Sequence, residues 1–460
     1  MVLEPVGRIG RSARPLGTAV AAVLALGLGT ACAPGSDNDK PASRAPAAVN
    51  TDIAKAGNVV LTVWDQEIQG GQRKQIEMLN ARFQARFPNV TIKRVARSFT
   101  DLQKTLRLAL SGDDPPDIVQ ANQGYAAMGQ VVKGGLLLPL DSYDRVYGWK
   151  KRYPKGLMDL NSVTPDGKSI GGGNLYGVSL NGEIVGIYYN KDKLAKIGIQ
   201  PPKTWAEFEQ ALATAKSKGE LPLALGNVEK LPAMQLYGLI QDQMAGKQAV
   251  RDLVFGRKGS WTDQPNVQAA QKLAAWAARG YLNKDANAVK WDDTPVNFAK
   301  GQGVFMVGGT WWAADLKEKL GDKVGFMLPP PAQAGAAPVT MGGESLPFAI
   351  TAKAKHPDVA AAYINFITSP EAMDVSVETG NLPALAPPSR QPDGAVMKEI
   401  AAAWAELSKS DGITPYIDYA TPNLADTFGG PLQRLIAGKA TPQQALGDAQ
   451  RDYSEFLKKK

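Results

Sequence analysis

The side chains able to recognise a specific partner fall at the ends of short apolar runs. Gln66 and Glu67 follow the run from Val59 to Trp64, and Asn122 and Gln123 follow Ile118-Val119-Gln120. Asn181 and Glu183 stand between Leu175–Val178 and the run Ile184–Tyr189, and Asn227 follows Leu221–Leu225. Gly343 and Glu344 interrupt the segment from Val339 to Ile350, and Tyr416 and Asp418 lie further on. Carboxylates and amides each present two polar atoms, which suits pairing with neighbouring hydroxyls. Trp149, Trp261, Trp311, Trp312 and Tyr416 add flat apolar faces. Together these types match a ligand with many hydroxyls and flat C–H faces. Any one of the tryptophans also fits plain core packing.

Other chemistries find less support. Cleaving a glycosidic bond needs two carboxylates flanking it, and no spacing here pairs them. His356 is the sole histidine of 460 residues and precedes a helix in Lys355-His356-Pro357-Asp358, where a surface loop position accounts for it. A lone histidine without Cys or His neighbours seldom holds a metal. A Ser-His-Asp enzyme must use that histidine, and no Gly-x-Ser-x-Gly elbow is present. Gly171-Gly172-Gly173 lacks the Gly-Lys-Ser/Thr ending of a phosphate loop and reads as a turn. The formal charge is +8, but Lys and Arg are spread along the chain, with clusters only in the leader and at Lys458-Lys459-Lys460. Without a helix-turn-helix, zinc or RNP pattern, no nucleic-acid partner is expected. No cofactor is expected either.

The elements that carry these residues alternate. Val59–Trp64 and Val90–Val95 read as strands, separated by an amphipathic helix from about Gln72 to Phe87 with Ile76, Leu79, Phe83 and Phe87 on one face. A helix over Leu102–Leu110 leads to the short strand at Ile118. This β-α-β-α-β order predicts a mostly parallel sheet with helices on both faces, and ligands of such sheets bind at the carboxyl ends of the strands. Residues 143–174 read as irregular. Thr204 and Glu207 form a capping box, and Thr441-Pro442 opens a closing helix. The segment Gly303–Val307 reads as a buried strand ended by Gly308-Gly309. Thr310 then caps a helix that begins with Trp311 and Trp312, whose rings point about 100° apart, so Trp311 is assigned to a cleft and Trp312 to packing.

The run Leu175-Tyr176-Gly177-Val178, followed by Tyr188-Tyr189-Asn190-Lys191-Asp192 and Leu194, resembles the family 1 extracellular solute-binding proteins, the sugar receptors of ABC importers. Gly134–Asp141, Asn297–Trp312 and Pro201–Phe208 match further segments in the same order, so the resemblance spans roughly residues 58–457. It implies an α/β fold of two lobes, each a mostly parallel sheet flanked by helices, joined by a multi-strand hinge. Lobe 1 is expected at 58–187 and 344–379, and lobe 2 at 188–340 and 383–457, with crossings near 183–190, 339–346 and 379–383. It further implies an oligosaccharide ligand, a neutral one, captured by lobe closure, and ABC permease subunits as partners of a monomer. In the family the turn before Tyr188 touches the sugar. Taken alone, Asn181-Gly182-Glu183 reads as a surface hairpin turn. Trp311 matches the family's stacking tryptophan. Two alternatives stand beside this reading: a secreted glycan-active enzyme and a ferric-ion or other solute receptor of the same fold. Paired tyrosines occur in iron receptors, but Tyr188 and Tyr189 sit in a strand and face opposite sides.

The first residues are a processing segment. Arg8, Arg11 and Arg14 precede an apolar stretch, Leu16–Leu28, too short to span a bilayer as a helix. Gly29-Thr30-Ala31-Cys32 resembles a bacterial lipoprotein box, with Gly29 where Leu is usual. Cys32 is the only cysteine and has no partner for an internal disulfide, so lipid attachment gives it a use; an ordinary secretory signal is the alternative. Loss of residues 1–31 removes three arginines and Glu4 and lowers the charge from +8 to +6. Residues 32–57, rich in Ala, Pro, Ser and Asp, read as a flexible tether. The expected location is the outer face of the cell membrane, anchored through Cys32.

Overall fold

The computed structural model describes residues 48–387 and 389–460. The signal segment, Cys32 and residues 32–47 of the expected tether lie outside these. In chain order the strands are β1 (Val59–Asp65), β2 (Val90–Ala96), β3 (Ile118–Gln120), β4 (Ser162–Val163), β5 (Asn174–Leu175), β6 (Gly182–Asn190), β7 (Leu223–Ala224), β8 (Phe305–Gly309), β9 (Val324–Met327), β10 (Thr340–Glu344), β11 (Phe348–Ile350) and β12 (Ile413–Thr414). The first lobe is built on a sheet of order β11-β3-β1-β2, in which β1 runs parallel to β2 and β3 and antiparallel pairing joins β11 to β3. The second lobe has the order β12-β10-β6-β8-β7, with β9 also paired to β6.

Local sequence explains the elements. In β1, Val59, Leu61 and Val63 alternate inward and pack under Ile76, Leu79 and Phe83 of the helix Gly70–Arg86. Pro88 ends that helix, since a proline disfavours helical backbone in the residue before it. Ser98 caps the helix Phe99–Ser111 by accepting the Asp101 N–H at 3.1 Å. All nine residues of β6 are buried, as befits a strand covered on both faces. Tyr188 and Tyr189 enter different cores there: Tyr188 joins Trp312 and Phe326, and Tyr189 joins Phe208 and Phe305.

Three strands of chain pass between the lobes and bond to one another. Ser345 N–H donates to Asn181 O at 2.9 Å, and Ser179 Oγ donates to Ser345 O at 2.6 Å. Gly182 N–H donates to Leu382 O at 2.9 Å, and Ala384 N–H to Leu180 O at 3.4 Å. The crossings therefore lie at Leu180–Asn181, Ser345–Pro347 and Asn381–Pro383. The first differs from expectation. β6 pairs only with strands of the second sheet, so the passage precedes Gly182 instead of falling at 187. Asn181-Gly182-Glu183 is not a surface turn, because Asn181 is 3% exposed and Glu183 lies in the β10 pairing.

Further differences have local causes. Residues 143–174 contain the short helices Asp141–Tyr147, Trp149–Arg152 and Lys155–Leu160; each is too short to show a clear apolar period. Trp149 is fully buried in the first core, not at a cleft. β8 continues through Gly308 and Gly309, which pair with Gly186 and Val185. Thr310 lies inside a turn, Thr310–Trp312, where its hydroxyl accepts the Ile184 N–H at 3.4 Å, so it does not cap the helix Ala313–Leu320. The described end of the expected tether is docked: Ile53 is 3% exposed in the first core, and Asn89 Nδ2 donates to Ile53 O at 2.9 Å. No helix of the described residues is long and apolar enough to cross a membrane.

Candidate functional site

One cleft lies between the lobes, beside the carboxyl ends of β1, β3 and β8, with about 940 Å³ of space including its open mouth. The first lobe lines it with Gln66, Ile68, Gln69, Gln72, Phe99, Thr100 and Asn122. Glu183, Glu229, Leu231, Met234, Gln235, Trp291, Asp292, Trp311, Met341, Leu346 and the run Tyr416–Tyr419 complete it.

The loop after β1 is held from below. Arg94 grips Asp65 through Nε and a terminal nitrogen at 2.7 and 2.6 Å, and also donates to Glu67 O at 2.6 Å. Gln120, the last residue of β3, accepts the Gln66 N–H at 2.8 Å and donates to Glu67 Oε1. Gln66 is thereby turned to the cleft, while Glu67 is 1% exposed beneath it. Burial, opposed by the Gln120 bond, raises the Glu67 carboxyl to about 7.

In the second lobe Gly308 and Gly309 make room for two indoles. A Cβ on Gly309 would stand 1.9 Å from the Trp311 ring, and one on Gly308 would stand 2.6 Å from the Trp312 ring. Successive strand residues face opposite sides, so the rings part: Trp311 lines the cleft and Trp312 is 1% exposed in the core. Trp291 stands edge-on to Trp311, centroids 5.9 Å apart, and Phe99 of the first lobe stands edge-on to Trp291 at 6.0 Å.

Polar side chains are unevenly partnered. Gln72, Asn122 and Gln235 are 3%, 8% and 8% exposed, line the cleft, and have no side-chain hydrogen bond to the described residues. Glu183 is raised to about 8 by burial first and by the charge of Glu67 second, against the neighbouring Tyr416 hydroxyl. Burial raises Asp418 to about 6.

Of the residues chosen from sequence, Gln66, Asn122, Glu183, Trp311, Tyr416 and Asp418 line the cleft. The others do not. Gln123 clamps the crossing, donating to Ser345 O at 3.2 Å and accepting the Tyr419 hydroxyl at 3.1 Å. Asn181 exchanges two amide bonds with Gln75, both 3.0 Å. Asn227 Oδ1 accepts the Ala233 N–H at 2.9 Å and so holds the start of the helix Leu231–Ala245. Trp261 is fully buried against Phe428, centroids 5.4 Å apart. Glu344 takes the Asn161 amide and is raised well above the usual carboxylate range by burial, and Gly343 lies close against Leu160 in the lining of a second cavity. Among the described residues no group of three or more His, Cys, Asp or Glu is placed to hold a metal ion.

Residues 69–374 match the family model of the bacterial extracellular solute-binding proteins. The chain belongs to that family. The solute-binding protein is 26% identical over 385 residues to an uncharacterized ABC transporter extracellular-binding protein of Pyrococcus horikoshii, covering 81% of each chain. It is also 26% identical to the maltodextrin-binding protein MdxE of Bacillus subtilis over 470 residues, covering 96% of each. Its fold is similar to that of a chitin oligosaccharide binding protein of known structure, with TM-score 0.75 and 23% identity over 87% of this chain and 99% of the other.

Several cleft-lining residues of the solute-binding protein were not read from its sequence. Gln72 sits one helical turn before Ile76, so its place on the buried face was a signal: a polar residue in an apolar stripe. Trp291, flanked by Lys290 and Asp292, was another, since a tryptophan among charges is rarely fully buried. Gln235, inside a helix buried on most sides, carried no local signal.

Proposed function

We propose that the protein captures a saccharide outside the cytoplasm by closing its two lobes and presents it to the membrane subunits of an ABC importer. The observation that carries this reading is the lining of one inter-lobe cleft by a partly open indole, Trp311, together with three amide side chains that have no partner among the described residues. These amides line the cleft with donors and acceptors not used by other described residues, which suits a ligand rich in both. The indole face suits a sugar's C–H surface. The maltodextrin-binding and chitin oligosaccharide binding relatives support an oligosaccharide. Lobe closure follows if the ligand contacts both lobes and so favours the closed state.

We infer a binding protein without catalysis, acting as a monomer and anchored through lipid on Cys32. The test of function is a thermal-shift screen against mono- and oligosaccharides, since a ligand that binds the native state raises the melting temperature. At least one saccharide is expected to do so and to remain intact on long incubation. Turnover of the bound sugar would instead favour a glycan-active enzyme. For the anchor, mass spectrometry of mature protein from a native membrane fraction should find an acylated Cys32 at the N-terminus. An unmodified start elsewhere, with the protein in the medium, sinks that part.

A further inference from the structure

We propose that the saccharide taken by this cleft carries a basic nitrogen. This rests on the saccharide reading above and narrows it, departing from the neutral ligand that the sequence suggests. Among the described residues, the charged side chains lining the cleft are Glu183, Glu229, Asp292 and Asp418, with no lysine or arginine. Three cations of neighbouring segments are engaged elsewhere. Arg94 holds Asp65 at 2.6 Å, Lys230 holds Asp426 at 2.7 Å, and Arg97 stacks over Trp64 at 4.2 Å. Lys290 stands near Asp292, which is exposed at the rim. Glu183, deeper and 8% exposed, has the Tyr416 hydroxyl and the Glu67 carboxyl near it.

Hydroxyl recognition does not require this charge. Gln72, Asn122 and Gln235 line the same cleft, more than nine-tenths buried and without a side-chain partner among the described residues. Amides donate as well as accept and carry no charge to desolvate. An ionised carboxylate only accepts, and its advantage over an amide is greatest toward a cation. The aromatic wall adds to this, because the faces of Trp291, Trp311 and Tyr416 attract a cation through the ring quadrupole. Burial already holds the Glu183 and Asp418 carboxyls above their ordinary values, as expected of acids that lack a counter-charge. A protonated amine on the ligand supplies that counter-charge, and its approach releases to solvent the proton that Glu183 otherwise keeps up to about pH 8.

The experiment uses matched sugars that differ only in an amino group or a hydroxyl at the same carbon: glucosamine and glucose, galactosamine and galactose, and the β-1,4-linked trimers of glucosamine and glucose. Affinities are measured by titration calorimetry near pH 6. In at least one pair the amino member is expected to bind about ten-fold tighter or more. Raising salt from about 0.05 to about 0.5 M should narrow the gap, and Glu183→Gln or Asp418→Asn should remove it. Equal or tighter binding of the hydroxyl members in every binding pair overturns the inference and leaves the saccharide reading standing. If these sugars and the wider saccharide panel all fail to bind, both fall. The wild-type ratio decides even if a variant fails to fold. A preference that survives both substitutions overturns the assignment to these two carboxylates.

Discussion

Trp311 and Trp312 are adjacent in the chain yet stand in different surroundings, and their substitutions should separate. Trp312 is 1% exposed among Phe326, Met306 and Leu316, so Trp312→Ala should destabilise by about 3–5 kcal/mol. Trp311→Ala should cost little stability and weaken saccharide binding by about 2 kcal/mol or more, as for a central aromatic anchor. Thermal melts and calorimetric titration of both variants check this; wild-type affinity in Trp311→Ala means the ring is not the platform. Asp242 offers a test by pH. It is 2% exposed, takes the Thr414 hydroxyl at 3.0 Å, and is raised to about 8 by burial first, against that bond. Unfolded, the carboxyl ionises in its ordinary acidic range. Between that range and about pH 8 the folded chain therefore holds the extra proton, and this group's contribution to stability falls as pH rises. Asp242→Asn removes that slope, so the wild-type melting temperature should fall more than the variant's between pH 5 and 8. Parallel profiles would show that Asp242 is not the group responsible.

At the scale of the element, β8 ends in two glycines because each leaves room for one ring. Gly308→Ala places a methyl 2.6 Å from a Trp312 ring that has nowhere to go, which should cost about 1–3 kcal/mol of overpacking. The methyl of Gly309→Ala overlaps the Trp311 ring more severely, at 1.9 Å, but that ring borders open space and can swing out. Gly309→Ala should thus lower the melting temperature less than Gly308→Ala and weaken binding more. The reverse order in paired melts and titrations would mean that Trp311 is fixed by more than this floor. The apolar run into β8 was legible in the sequence. Its last two residues were not, because a glycine pair that admits two side chains looks the same in sequence as one that ends a strand.

At the scale of the whole molecule, contacts outside the hinge also join the two lobes. Gln69 reaches Asp292 at 3.5 Å across the cleft mouth, Tyr125 N–H donates to Tyr419 O at 3.2 Å, and Tyr125 packs on Phe456 of the closing helix with centroids 4.7 Å apart. Lys460 Nζ donates to the Tyr125 hydroxyl at 2.7 Å. Phe456 does not line the cleft, yet it joins the lobes. An aromatic pair contributes about 0.5–1.5 kcal/mol beyond its buried area, and apparent affinity scales with the fraction of competent, closed molecules. Phe456→Ala should therefore weaken saccharide binding about three- to ten-fold without touching the ligand. An unchanged dissociation constant by calorimetry would show that this contact does not bias closure.

What the sequence determined by itself is what short stretches of chain settle alone. The caps Thr204, Ser369 and Thr441 each accept the backbone N–H three residues on, a bond made within one turn. The alternation of β1 and the opposite facing of Tyr188 and Tyr189 follow from the two-residue period of a strand. The α/β order follows from those elements in succession. What only the tertiary structure decided depends on pairings far apart in the chain. Asn181 became a hinge residue, because Gln75 lies 106 positions away and meets it with both amide atoms. Trp261 went to the core because Phe428 packs against it. Asn227 was taken by the start of the next helix, and Gln235 gained a place in the cleft only when β10 and Tyr416 closed over its helix. Local propensity fixes which face a side chain points from, but burial and partnership are properties of the surface that face meets.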